Sequence, residues 1–248
     1  MPPIDRFSKH AEQYAQFRIT YPAALYDYLL SRTLGRDAAW DSGTGNGQVA
    51  VDVAAHFSRV EATDISQKQL AQASHVPNIR YSISPAEHTP FADSTFDLIT
   101  TAQALHWFDA AAFHREGRRV AKRGGVIAEW GYGLVRVNQQ PIDALIRHFY
   151  SDIVGPFWDE NRRHIDDEFA RIPFPFAAVE HRRFEERQNW DAERFMGYLN
   201  TWSSVQRYQQ TVREGPLRHI EQPLKELWGA RQREVCFPIF LRTGRIDK

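Results

Sequence analysis

Three glycines at alternate positions, Gly43, Gly45 and Gly47, follow directly on an apolar run in "AAWDSGTGNGQVA", residues 38–50. Glycine lets a ligand lie against bare backbone and accepts a left-handed turn at no steric cost. Between a strand and the start of a helix, such a turn brings the ligand beside unpaired N–H groups and the positive end of the helix dipole. Asp41 stands just before the first glycine, and Asp64 closes the next strand-like run, "RVEATD". About 20 residues beyond the turn is where a parallel neighbour strand offers a carboxylate to two ribose hydroxyls. An acid there suits a nucleoside with a free ribose and disfavours a 2′-phosphate. Gln48 breaks the dinucleotide fingerprint G-x-G-x-x-G, leaving G-x-G-x-G, and no Gly-Lys-Ser/Thr follows to make a P-loop. The chemistry suggested is nucleoside-cofactor binding; the bland alternative is an ordinary tight turn.

These residues need a particular scaffold. The first half of the chain alternates strand-like and helix-like segments, the pattern of a parallel sheet with crossover helices. "AAWDSG" predicts a strand and "GQVAVDVAAHF" the helix after it; "RVEATDIS" predicts a second strand, with Ser66 capping "QKQLAQASH" as a helix. "IRYSIS" and "TFDLITTAQAL" predict the third and fourth strands, the latter apolar enough to be central. "AAAFHREGRRVAK" has helical spacing with Ala111, Phe113 and Val120 on one side, "RGG" ends it, and "VIAEWGYG" is a fifth strand.

The second half is less regular. "QQPIDALIRHFYSDIVGPFW" predicts a helix ending before Gly155-Pro156, the prolines of "IPFPF" a loop, and "AVEHRRFEERQNW" a strand. "DAERFMGYLNTWSSVQRYQQ" predicts one helix with an aromatic stripe, and "GPLRHIEQPLKELWGARQR" a helix broken or kinked at Pro223. "EVCFPIFLRTGRI" is a closing strand in which Pro238 favours a bulge or an edge. The expected architecture is one α/β domain: a Rossmann-like, seven-stranded, mostly parallel sheet with helices on both faces and helical insertions. Residues 1–35 form an N-terminal cap and 36–133 the cofactor-binding core. Residues 134–178 and 190–215 are lid insertions, and 179–189 and 216–248 supply the remaining sheet and helix.

Composition removes several function classes. With 31 Lys+Arg against 31 Asp+Glu in 248 residues the formal net charge is zero, which argues against a protein held on nucleic acid by bulk charge. No run approaches the ~20 apolar residues of a membrane span, and "MPPIDRFSKHAEQ" does not read as a signal peptide. A soluble cytoplasmic protein, monomer or homodimer, is expected. Cys236, the single cysteine, lies in an apolar run and reads as a small buried hydrophobe. The histidines lack ligand spacing and no Cys-x-x-Cys exists, so no metal is expected. A G-x-S-x-G nucleophile elbow is missing too.

"WDSGTGNGQ", "ATDIS", "FDLITTAQALHWFD" and "RRVAKRGGVIAEWGYG", in that order, resemble the consecutive motifs of class I S-adenosylmethionine-dependent methyltransferases. More narrowly, "HWF" after the fourth strand, "TWSSVQRY" late in the chain and "FSKHAEQYAQFRITYP" at its start are similar to a small-molecule group. That group includes trans-aconitate methyltransferases and plant embryo-abundant proteins. The resemblance covers nearly the whole chain and implies S-adenosylmethionine as cofactor and a small-molecule acceptor. Two positions depart from it: the glycine loop has Ser42 and Thr44 where the group usually carries cysteine, and Pro85 stands where an acid often takes the adenine amino group. A methyltransferase of nucleic acid would need an Asn/Asp-Pro-Pro-Tyr clamp or a basic face; "AQALHW" stands there instead.

The resemblance implies roles for single residues. Asp41 meets the methionine ammonium, directly or through water, or else bonds the glycine-loop amides. Gly43 and Gly45 let the chain pass under ribose and methionine, Asp64 takes the ribose hydroxyls, and Ile65 follows it in the same motif. Adenine falls to Ala86 and to Glu87 or Ser84. Gln103 lines the methionine arm. Tyr14 and Arg18 fold over the cofactor, or form a solvated helix face. His106 and Trp107 form the floor of the acceptor pocket, with Trp130 and Tyr132 facing the same crevice; a packed or capping histidine is the alternative for His106. Tyr150, Phe157, Trp158, Trp202 and Tyr208 supply core and an apolar lid, and Arg18 or Arg207 could fix an acid. The expected reaction is O-methylation of a carboxylate. The alternatives are methylation of a hydroxyl or amine with His106 as base, and a non-catalytic scaffold that binds the cofactor or partners.

Overall fold

The computed structural model describes residues 19–248; Tyr14 and Arg18 lie outside the described residues. Helix α1 (Ala23–Arg32) precedes a regular alternation of β1 (Ala38–Ser42), α2 (Gln48–Ala54), β2 (Arg59–Asp64), α3 (Gln67–Leu70), β3 (Ile79–Ile83), β4 (Phe96–Ala102), α4 (Ala110–Val120) and β5 (Ala121–Tyr132). A helical stretch with α5 (Gln140–His148) and the single turn α6 (Arg163–Asp166) leads to β6 (Ala177–Trp190). Three more helices, α7 (Ala192–Asn200), α8 (Ser203–Val212) and α9 (Glu221–Trp228), precede β7 (Arg233–Arg245). The seven strands lie in the order β3-β2-β1-β4-β5-β7-β6. Neighbours among β1–β5 are parallel, and β7 runs antiparallel to both β5 and β6. This is the expected seven-stranded, mostly parallel sheet.

Burial explains the order. β1 is buried at every position and β4 at all but its last, as apolar runs covered on both faces must be. Successive residues feed opposite cores: Ala39, Leu98, Val126 and Ala128 enter one cluster, while Ala38, Trp40, Ile99 and Ile127 enter the other. β6, rich in Glu and Arg, occupies an edge, where charge discourages pairing with another chain. Because β1 lies between β2 and β4, the carboxyl ends of β1, β2, β4 and β5 converge on a switch-point crevice. No helix among the described residues is long and apolar enough to cross a membrane.

Several local expectations are corrected. "RGG" does not end α4, which stops at Val120; it lies inside β5. Pairing jumps there from Phe96–Ala121 to Leu98–Val126, and Gly124 takes φ +75° to absorb the extra residues. On α4, Phe113 and Val120 are buried but Ala111 is exposed. Ser66 caps α3 as expected, accepting from Gln69 N at 3.3 Å, but the helix lasts one turn before passing into turns ahead of Pro77. After α5 the chain widens into a π turn, Phe149–Ile153. The helix expected over 191–210 is two, because Trp202 is extended (φ −65°, ψ 135°) between α7 and α8. The break near Pro223 falls earlier, at Ile220; Pro223 sits in the first turn of α9, where its missing N–H costs nothing. β7 is an interior strand, and Pro238 sits at an irregularity between the Tyr132–Ile239 and Arg136–Cys236 pairings. Cys236 is buried.

Candidate active site

The glycine turn follows β1, and its three glycines meet three different demands. All have positive φ: +68° at Gly43, +58° at Gly45 and +83° at Gly47. A Cβ on Gly43 would stand 2.7 Å from Ala104 Cβ, and one on Gly47 would stand 2.4 Å from the Tyr81 hydroxyl. On Gly45 it would meet nothing within 4 Å, so this glycine borders open cleft rather than packed protein. Gly47 is the N-cap of α2.

Two carboxylates flank the turn. Asp41, 2% exposed, accepts from Thr44 Oγ1 at 2.5 Å and Thr100 Oγ1 at 2.8 Å. Burial outweighs these bonds and pushes its pKa up to about 6. Asp64 accepts from Gly45 N (2.9 Å) through Oδ2 and from Ser66 N (2.8 Å) through Oδ1. Its carboxylate thereby pins the loop to the end of β2 while it lines the cleft. A helix-cap role for Asp64 is excluded, because Ser66 holds that position.

One cleft gathers most of the expected cofactor residues: Asp41, Gly43, Gly45, Asp64, Ile65, Ala86, Glu87 and Gln103 all line it. Ile65 is 37% exposed, an apolar side chain left on the rim. Glu87 also accepts from Asp109 N at 2.9 Å, fixing the start of α4. The cleft includes residues that the sequence did not mark, among them Tyr21, Asn46, Gln69 and Phe108. Phe108 belongs to "HWF" and was legible as a motif but not as a cleft residue.

A second, aromatic cavity adjoins the first. Gln103, Trp107 and Tyr132 line both, while His106, Trp158, Arg162, Tyr198 and Trp202 line the second alone. Gln103 holds a left-handed conformation (φ +53°), and its amide clamps Tyr132: Oε1 accepts from Tyr132 N at 2.9 Å and Nε2 donates to Tyr132 O at 3.4 Å. The expected lining residue is thus also the tie between the ends of β4 and β5. His106, on a short 3-10 turn, is buried with its ring 4.8 Å from that of Trp107. Trp158 and Trp202 pack with their rings tilted at 44° and 5.6 Å apart, backed by Tyr150.

Two expectations fail here. Trp130 does not line the crevice: it shares a face of β5 with Tyr132 but is fully buried, packing edge-on at 5.5 Å against Tyr21, which lines the cleft in its place. Arg207 does not line the cavity either; it pairs with Asp159 at 3.2 Å. The arginine that does line it is Arg162, from the charged run "DENRRHID", which reads as a solvated face and carries no distinguishing signal.

Known proteins share this architecture. Residues 40–128 match a family model described as a methyltransferase domain. The chain is 29% identical to a Dictyostelium discoideum protein described as a methyltransferase, over 96% of this chain and 93% of that one. It is similar to a solved structure described as a type II methyltransferase from Anaeromyxobacter dehalogenans, with 37% identity, TM-score 0.86, and coverage of 93% of this chain and 99% of that one. A malonyl-acyl carrier protein O-methyltransferase from Dechloromonas aromatica is 30% identical over 46% of this chain and 41% of its own length. The chain belongs to the class I S-adenosylmethionine-dependent methyltransferases.

Proposed function

We propose that this methyltransferase acts on an oxygen of a small carboxylic acid. The observation that carries the reading is the wall of Gln103, Trp107 and Tyr132 common to the glycine-lined cleft and the aromatic cavity. Donor and acceptor would meet across it. The cleft's residues fit the donor: the open space beyond Gly45 is a cradle that a Cβ would fill. Asp64 would take the ribose hydroxyls, and Asp41 the methionine ammonium, directly or through water. Ala86, with Glu87 or Ser84, would recognise adenine, and Ile65 would cover its face. Gln103 would line the methionine arm, and Tyr14 and Arg18 would close over it as the family resemblance implies.

S-adenosylmethionine supplies a methyl on a sulfonium: the acceptor oxygen forms the C–O bond as the C–S bond breaks and its electron pair returns to sulfur. Trp107, Trp158 and Trp202 would exclude water and hold the acceptor in line. A carboxylate, with a pKa near ~4, is already ionised at neutral pH and needs no base. The relative whose name gives a malonyl group as O-methyl acceptor supports such a substrate. So does the likeness of "HWF" and "TWSSVQRY" to the trans-aconitate methyltransferase group.

A second reading rests on His106, which lines the same cavity and could take a proton from a hydroxyl or amine acceptor. The pH–rate profile separates the two. With a carboxylate acceptor the turnover number is flat from about pH 6.5 to 9, and His106→Ala lowers it less than roughly tenfold, against the ~10²–10⁴ of a lost general base. A rate rising through a pKa near ~6.5 and collapsing in His106→Ala would establish the second reading instead.

A further inference from the structure

The acceptor cavity contains a cation held in an unusual way. Arg162 ends a 3-10 turn, Glu160–Arg162, and its side chain is 17% exposed. Its guanidinium lies over the Trp158 ring at 4.8 Å and the Tyr150 ring at 5.5 Å. Nε donates to the Tyr150 hydroxyl at 3.0 Å and faces Asp166 Oδ1 at 3.4 Å. The two rings and the bonds from Nε hold the group in place, yet Nη1 and Nη2 make no hydrogen bond with any described residue. Of the nearby carboxylates, Asp166 pairs with Arg162 only at Nε, through the oxygen that also accepts from Tyr150 at 2.6 Å, and Asp159 pairs with Arg207. An arginine so oriented presents a two-pronged donor edge suited to a carboxylate or similar planar anion.

Its position matters as much as its charge. Arg162 lines the aromatic cavity but not the glycine-lined cleft, whereas the residues common to both are Gln103, Trp107 and Tyr132. A group held by Arg162 is therefore set back from the common wall where transfer would occur. A carboxylate gripped in two bonds by a guanidinium is also a poorer nucleophile, because its lone pairs are engaged. We infer that Arg162 anchors a second anionic group of the acceptor, so that the substrate is a two-headed acid: one end held, the other methylated. This rests on the small-acid reading above, and it specifies which acids the cavity selects.

The test uses the full chain with S-adenosylmethionine and C4–C7 α,ω-diacids, their half-amides, and ω-hydroxy and ω-amino acids of matched length. Diacids should exceed their half-amides about 10–100-fold in kcat/KM, the scale of a charge-assisted hydrogen-bonded pair. Arg162→Gln should abolish that advantage through KM, with kcat changed less than about threefold. Arg162→Lys should recover only part of it, since an ammonium lacks the fork. Cofactor affinity by calorimetry should stay at the wild-type value in both variants, which also shows that they fold. If no compound turns over, protein loaded with S-adenosylhomocysteine should gain thermal stability from diacids, and the gain should vanish in Arg162→Gln. Equal treatment of diacids and half-amides in either assay, or a loss in kcat alone, would overturn the proposal. Base-stable products from hydroxy or amino acids, still dependent on Arg162, would refute carboxylate methylation while leaving the anchor standing.

Discussion

Asp41 shows how one residue can cost stability and serve binding. Its carboxyl ionises near the ordinary 3.8 in the unfolded chain, but burial pushes it up to about 6 in the fold. Between those values the folded state holds a proton that the unfolded state has released, so stability falls as pH rises through the window. Above it the cost reaches about 3 kcal/mol. Asp41→Asn removes the charge, and we expect it to raise stability at pH 7–8 by up to about 3 kcal/mol in urea denaturation. The same substitution should weaken S-adenosylmethionine, whose ammonium would otherwise offset the buried charge. In the wild type that ammonium should favour the ionised carboxyl, so affinity rises between about pH 5 and 7 and binding at pH 5.5 releases a proton. Calorimetry in buffers of different ionisation enthalpy would detect the proton. An affinity independent of pH in the wild type would remove Asp41 from the ammonium site.

The glycine turn separates two demands within one element. Gly45→Ala and Gly47→Ala should each lose roughly 1–2 kcal/mol of stability, because both backbones are left-handed. Of these two only Gly45 borders the cleft, so Gly45→Ala should weaken cofactor binding beyond tenfold; Gly47→Ala presses on Tyr81 and should add instability while the folded fraction binds normally. Binding lost equally in both would make the loop a turn and nothing more. This part of the molecule was legible because apolar runs, caps and glycines agree locally: β1 to β5, the Ser66 cap and the Asp64 position follow from pattern alone. The second half resisted because tertiary packing decides it. Residues 191–210 have the spacing of one helix, yet Trp202 leaves helical geometry, and its ring packs tilted on Trp158 and edge-on to Tyr150. β5 absorbs an "RGG" that reads as a helix stop, because pairing with β4 continues on both sides of it. Arg162 was illegible for the same reason: the rings beside it, Trp158 and Tyr150, are near in the chain, but the cavity it lines is closed by Gln103, Trp107 and Trp202 from other elements.

At the scale of the whole molecule, the parallel half of the sheet and the antiparallel half are joined by a buried ionic cluster. Glu129 of β5 faces His114 Nε2 of α4 at 2.6 Å and accepts from Arg242 Nε of β7 at 2.7 Å. All three side chains are almost wholly buried. Arg242 reaches further, donating to Phe169 O at 3.1 Å and Ile172 O at 2.8 Å while its guanidinium lies 4.6 Å from the Phe174 ring centroid. It thereby ties the loop leading into β6, and with it the end of the helical stretch that bears Arg162, to the centre of the sheet. Removing one partner strands a charge in the interior, so Glu129→Leu and Arg242→Met should each cost about 3–5 kcal/mol. Replacing both with apolar groups of similar volume removes the stranded charge, and the double variant should be more stable than either single one. Cofactor affinity of the folded double variant should be unchanged, since neither residue lines the cleft, while acceptor KM should rise if the loop carrying α6 loosens. Urea denaturation of the four proteins measures the coupling directly. Costs that simply add would show that Glu129 and Arg242 are not coupled, and that backbone pairing of β5 with β7 and apolar packing join the two halves of the sheet without them.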